Sequence, residues 1–263
     1  MHHHVASYSF GLFFFLLVIT GFSTVRAQES ASDVLGVNNW IERGIEYSGN
    51  PLSHLVNLQS WEVKGLPPLD EIGPIERQHV AQKEFLRALR HWNANEANFS
   101  LDQVYAFLAF SHCRLAVAYQ IQHENFANAK IRTLAVSNFE KAASAYRKAI
   151  SNADENTKYQ YAIELVECEV SSGDLNKSLE TIKKLERLNL KPDRGEDYGL
   201  LRIKADLLWT LSRIEESAVV YEEWIGKGGT DLVFSPTSII HQRLLYLKSK
   251  TGRPKNFVVK NNS

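Results

Sequence analysis

Apolar side chains recur three and four positions apart along almost the whole chain, and that spacing constrains the fold more than any motif does. Residues 33–48 carry Val34, Val37, Trp40, Ile41 and Ile45. Residues 75–94 carry Ile75, Phe85, Leu86, Leu89 and Trp92, and residues 101–120 carry Val104, Phe107, Leu108, Leu115 and Ala118. A helix turns once in about 3.6 residues, so each set falls on one helical face. A half-buried strand needs period two, which only Val233–Ser235 and Asn256–Val259 approach, and then briefly. The chain is therefore expected to be all-α.

Breakers divide the pattern. Gly49-Asn50-Pro51 ends the first helix, and Leu52, Leu55 and Val56 mark a short second one. The Gly- and Pro-rich stretch 64–74 is the best internal boundary, and Pro74 suits the first turn of the helix that follows. Ser100 with Gln103 forms a capping box. Residues 125–152 are either one long helix or two with a break near Ser137-Asn138. Asp154 or Asn156 then starts a helix over about 156–171, answered by 175–189 across Gly173. After a loop at 190–197 come 197–211 and 213–226. Ser235 and Pro236 open a last helix through Lys248. Connections this short force neighbours antiparallel.

The N-terminus reads as an export signal. An apolar run from Phe10 to Phe22 precedes Val25 and Ala27, which places cleavage after Ala27. The run is about 13 residues, short of the roughly 20 that span a bilayer. No Lys or Arg precedes it, so the alternative is an uncleaved anchor. No segment of the mature chain, 28–263, is apolar enough to span a membrane. The expected divisions are the signal 1–27, an N-terminal helical cap and loop 28–73, a helical domain 74–250 and a basic tail 251–263.

Charge and special residues exclude more than they assign. With 30 basic and 30 acidic residues, nothing drives the chain toward nucleic acid. The two cysteines, Cys113 and Cys168, are either buried thiols or a single bridge. There is no HExxH, CxxC, CxxCH or glycine-rich phosphate loop, so no metal or cofactor is expected. Asn98-Phe99-Ser100 and Asn261-Asn262-Ser263 are glycosylation sequons if the exporting cell is eukaryotic.

Three stretches share a pattern anchored on Ser137, Gly173 and Ser212. An apolar residue follows two later (Phe139, Leu175, Ile214), and a small one five later (Ala142, Ser178, Ser217). Larger apolar residues stand nine later (Tyr146, Ile182, Tyr221), and Ala149, Leu185 and Trp224 stand twelve later. This set resembles the second-helix half of the tetratricopeptide repeat, best over 155–226, more loosely over 101–250 and not before 74. The anchors stand about 36 and 39 positions apart against the family's roughly 34. Glu169 and Lys204 occupy positions the family fills with apolar residues, and Leu185 and Trp224 replace small ones. The resemblance implies antiparallel helix pairs stacked into a short right-handed α-solenoid.

Paired helices without a catalytic motif, behind an export signal, point to a non-catalytic binder of a protein or peptide, an adaptor or assembly component of the cell envelope, periplasmic or extracellular. Family ligands lie against the first helix of each pair. Carried over by position, the groove residues are Gln160, Ile163, Glu167 and Val170, then Arg202, Asp206 and Trp209. Arg202 and Asp206, four apart, also suit a plain surface ion pair. One alternative is an all-helical carbohydrate-active or peptidoglycan-processing enzyme. Its carboxylates would come from Glu164 and Glu167, or from Glu215, Glu216, Glu222 and Glu223, with Tyr105 and Tyr119 in a sugar cleft. The other alternative is a purely structural subunit of an envelope complex. Trp40 and Trp61 are the informative residues of the N-terminal block.

Overall fold

The computed structural model describes residues 36–49, 71–188, 199–228 and 239–255. The apolar N-terminal run and its cleavage site, the short helix after Pro51, Trp61, the loop at 190–197, the Ser235–Pro236 cap and the second sequon lie outside them.

Among the described residues there are nine helices and no strand: α1 (Val37–Ser48), α2 (Pro74–Arg90), α3 (Leu101–Phe126), α4 (Ala129–Asn152), α5 (Glu155–Ser172), α6 (Leu175–Arg187), α7 (Gly199–Thr210), α8 (Ile214–Gly226) and α9 (Ile239–Thr251). None is long and apolar enough to cross a membrane.

Local chemistry sets most of the visible ends. Pro74 is the first residue of α2, where its missing N–H is no loss. The Gln103 carboxamide accepts from the Ser100 N–H at 3.0 Å, closing the start of α3. Asn128, Asp154 and Asp174 cap α4, α5 and α6 by accepting backbone N–H groups of the first turn. Gly173 ends α5 at φ +93°, a conformation that glycine adopts without strain. Ser212 takes the same role after α7 at φ +60°, where the Ser212 N–H donates to Trp209 O at 2.9 Å.

The single-helix alternative holds for the region before Asn152, and the end of α3 departs from the sequence reading. α4 runs unbroken for 24 residues through Ser137, so the first pattern copy has no turn at its anchor. α3 continues to Phe126 and stops where Ala127 turns left-handed at φ +49°.

Three groups of buried side chains follow in chain order. The first joins α1 to α5 through Ile41, Ile45, Phe85, Val104, Phe107, Tyr146, Tyr161, Leu165 and Cys168. The second joins α5 to α7 through Tyr159, Ala162, Ile163, Val166, Ile182, Ile203 and Leu207. The third joins α7, α8 and α9 through Ala205, Leu208, Ala218, Tyr221, Trp224, Leu244 and Leu247, with Leu179 from α6. α5 and α7 thus each face two groups. Alternate helices also touch: Tyr161 of α5 donates to Asp102 of α3 at 3.2 Å, and Arg243 of α9 to Asp206 of α7 at 2.5 Å.

The pattern positions are where the helices meet. Ala142, Ser178 and Ser217 are fully buried, as are Ile182 and Tyr221, while Tyr146, Leu185 and Trp224 are nearly so. Small residues let two backbones close, and the larger ones fill the space beside them. Ser217 Oγ even reaches Ala205 O at 2.9 Å. The polar departures have partners on a neighbouring helix. Glu169, buried, pairs with Arg147 of α4, and Lys204 pairs with Glu186 of α6 at 2.6 Å.

α1 packs hard on α2. A Cβ on Gly44 would stand 2.5 Å from the Phe85 ring, so this crossing tolerates no side chain there. Beside it Arg43 meets Glu84 at 2.5 Å, both largely out of water, while Arg43 Nε and Nη1 have no partner. Trp40 sits over α2, with Arg87 5.6 Å from its ring centroid and the His91 ring at 5.2 Å.

Two outcomes follow for stability, both read from chemical denaturation. Glu84→Leu strands a buried guanidinium and should cost about 3–5 kcal/mol, whereas Arg43→Met with Glu84→Leu should recover most of it. Ser212→Gly removes a left-handed penalty and should stabilise by about 0.5–1 kcal/mol.

Candidate functional site

Helix α5 has three faces, and two are spent on packing. Tyr161, Leu165 and Cys168 face the first buried group, while Tyr159, Ala162, Ile163 and Val166 face the second. What remains is the stripe Gln160, Glu164, Glu167 and Ser171, spaced at four, three and four. None of the four is fully exposed. This half-buried polar stripe of α5, with the side chains flanking it, is termed the recess.

Burial dominates the electrostatics of that recess. Glu164 is pushed from 4.5 to about 7, first by desolvation and then by the like charge of Glu167; a hydrogen bond from Gln160 at 3.4 Å works weakly the other way. Glu167 is also raised by burial, and Arg202 opposes this. Arg202, on α7, is half-buried, and its Nε has no hydrogen-bond partner. The recess therefore holds two carboxyls whose charge is poorly compensated and one guanidinium donor left unused. It can receive a cation, and it can offer a donor to a carbonyl or carboxylate beside it.

The seven residues carried over from the repeat resemblance divide, with Val170 partly buried against the second core group. Gln160, Glu167 and Arg202 belong to the recess. Ile163 is buried in the second core group, so it supports the recess without lining it. Asp206 and Trp209 belong to a separate junction on α7, α8 and α9. Asp206 accepts from the Tyr221 hydroxyl and from Arg243, so it does not pair with Arg202 as the four-residue spacing allowed. Trp209 is half-buried, meets the Tyr246 ring edge-on at 5.3 Å and carries the Arg243 guanidinium 5.7 Å from its centroid. That junction has its charges matched and its ring covered, which suits packing.

Glu164 and one further surface come from the structure. Glu164 entered the sequence reading only as a catalytic carboxylate; its place beside Glu167 follows from the three-residue spacing, but its burial does not. The tip of the α3–α4 pair exposes Ile121, Leu134 and above all Phe126, at 74%. An aromatic residue just before the polar turn Ala127-Asn128 was the available signal.

His112 bonds Asn138 at 3.2 Å, and burial pushes it down to about 4, so the ring is neutral at physiological pH. Among the described residues no three His, Cys, Asp or Glu side chains converge as a metal site.

The pH response of Glu164 is testable. Its folded pKa is raised, so the folded state holds a proton that the unfolded chain releases between pH about 4.5 and 7. Stability from this group falls as pH climbs through that window and stays low above it. Glu164→Gln should therefore raise the melting midpoint by a few degrees at pH 8. The gain should vanish below pH about 4.5, which scanning calorimetry across pH checks.

Comparison with protein-family models, with curated proteins and with solved structures finds no match for this chain.

Proposed function

We propose that the chain is a non-catalytic adaptor that binds an extended segment of a partner protein and works in the envelope of the exporting cell. The observation that carries this reading is the Gln160–Glu164–Glu167–Arg202 recess, where carboxyls are held out of water without enough positive charge to match them. A buried group left short of partners is stabilised when a ligand supplies them. A Lys or Arg side chain of the partner meets Glu164 and Glu167, and a backbone carbonyl meets Arg202.

The architecture proposed with it is a short right-handed α-solenoid of antiparallel, tetratricopeptide-like pairs. The contacts of α3 with α5 and of α7 with α9 support it, because stacked pairs bring alternate helices side by side. In that arrangement the odd-numbered helices line one face, and the recess lies on it. The apolar run at the N-terminus, taken as an export signal cleaved after Ala27, supports work in the periplasm or outside the cell.

One observation favours a second reading. A carboxyl poised near 7 suits a general acid, as a carbohydrate-active or peptidoglycan-processing enzyme requires. Against it, Glu164 and Glu167 stand side by side on one helix, while glycosidases place their two carboxyls across the scissile bond.

Selection of a displayed peptide library on the immobilised full chain tests both. Enriched peptides should carry Lys or Arg, and Glu167→Gln should weaken their binding about tenfold, or about 1.4 kcal/mol, with Phe126→Ser leaving it unchanged. Enrichment without cationic residues, or indifference to Glu167→Gln, would sink the adaptor site. Release of soluble fragments from sugar polymers, abolished by Glu164→Gln, would replace it with the enzyme.

A further inference from the structure

Cys113 lies on α3 and Cys168 on α5, separated by 55 positions, yet their sulfur atoms stand 2.8 Å apart. Both are free thiols, Cys168 buried and Cys113 partly open. A disulfide bond measures about 2.05 Å, so closure needs a sulfur movement of well under an ångström. Side-chain rotation of that size leaves both helix backbones in place. The surroundings already hold the two helices together at this level. Tyr161 donates to Asp102 across the same pair of helices, and Glu169, next to Cys168, is anchored to α4 by Arg147.

We propose that Cys113 and Cys168 form a disulfide that staples α3 to α5 across α4 when the chain meets an oxidising disulfide. The exchange balances in two steps. The Cys113 thiolate, the more accessible sulfur, attacks one sulfur of a small-molecule or protein disulfide; the S–S bond breaks, one carrier thiolate leaves and a mixed disulfide forms on Cys113. The Cys168 thiol then gives up its proton and attacks Cys113 Sγ, expelling the second carrier thiolate. The two cysteines are oxidised, the carrier disulfide is reduced to two thiols, and the protons pass to the released thiolates or to water.

Burial pushes the Cys168 thiol well up, and the nearby carboxyls of Glu164 and Glu167 push it in the same direction. The second step therefore speeds up as pH rises. Once formed, the bond removes that ionisation altogether and pins the helix that carries Glu164 and Glu167. The loop it closes is long, so its effect on the unfolded chain is large.

The test uses the full chain incubated with oxidised and reduced glutathione, then denatured and alkylated with iodoacetamide. The expected intact mass is two hydrogens lighter than the reduced chain with no alkylation. Proteolysis should yield one linked peptide pair containing Cys113 and Cys168. The bridged chain should melt about 5–15 °C above the reduced one. The Cys113→Ala, Cys168→Ala variant, checked for helicity by circular dichroism, should melt alike under both conditions. Two alkylated cysteines after oxidation, or a glutathione adduct that persists on Cys113 with Cys168 still free, would overturn the bridge. A verified bridge with an unmoved melting point would overturn the staple.

Discussion

Close approach of helix backbones at small, fully buried residues is the constraint on which the molecule depends. Ala142 on α4, Ser178 on α6 and Ser217 on α8 occupy the crossings. Gly44 does the same for α1 against Phe85, with no room for a methyl group. One turn on from the small residues, Tyr146, Ile182 and Tyr221 are buried as well. Interiors are packed too densely for these positions to vary independently. A larger side chain at any crossing would push the pair apart and empty the space around its neighbours.

Because core groups follow one another along the chain, the middle helices are shared. α5 and α7 each give side chains to two groups. A helix used twice keeps only one narrow stripe for solvent, and that stripe sits between flanking helices. This is why Glu164 and Glu167 lose much of their hydration without being core residues, and why the Glu164 carboxyl moves to about 7. The same sharing sets α5 against α3 closely enough to bring Cys168 within 2.8 Å of Cys113. The recess and the sulfur pair are two consequences of one packing arrangement.

Local signals were legible where a residue acts on its own turn. Gln103, Asp154, Gly173 and Pro74 each do at the helix ends what their chemistry requires, and those ends were readable in the sequence. Legibility failed where the deciding partner is remote. Asp206 looked like a partner for Arg202 one turn away, but Arg243 and Tyr221 come from other helices and take it. Glu169 and Lys204 looked like faults in an apolar pattern until Arg147 and Glu186 arrived across the interface. The candidate site was half readable. Gln160, Glu167 and Arg202 were carried over by position from the repeat resemblance, whereas Ile163 turned inward because the second core group lies on its side of α5.

The sequence by itself determined helix content, most helix ends, and which positions are small and which are large at the crossings, because each depends on period, capping and side-chain volume along a single segment. It also carried the apolar run from Phe10 to Phe22, on which the proposed export rests. Only the tertiary structure decided which polar residues find partners, which carboxyls lose their water and which cysteines meet. Those depend on the distance between groups far apart in the chain, and desolvation and charge pairing have no counterpart in the periodicity of one helix.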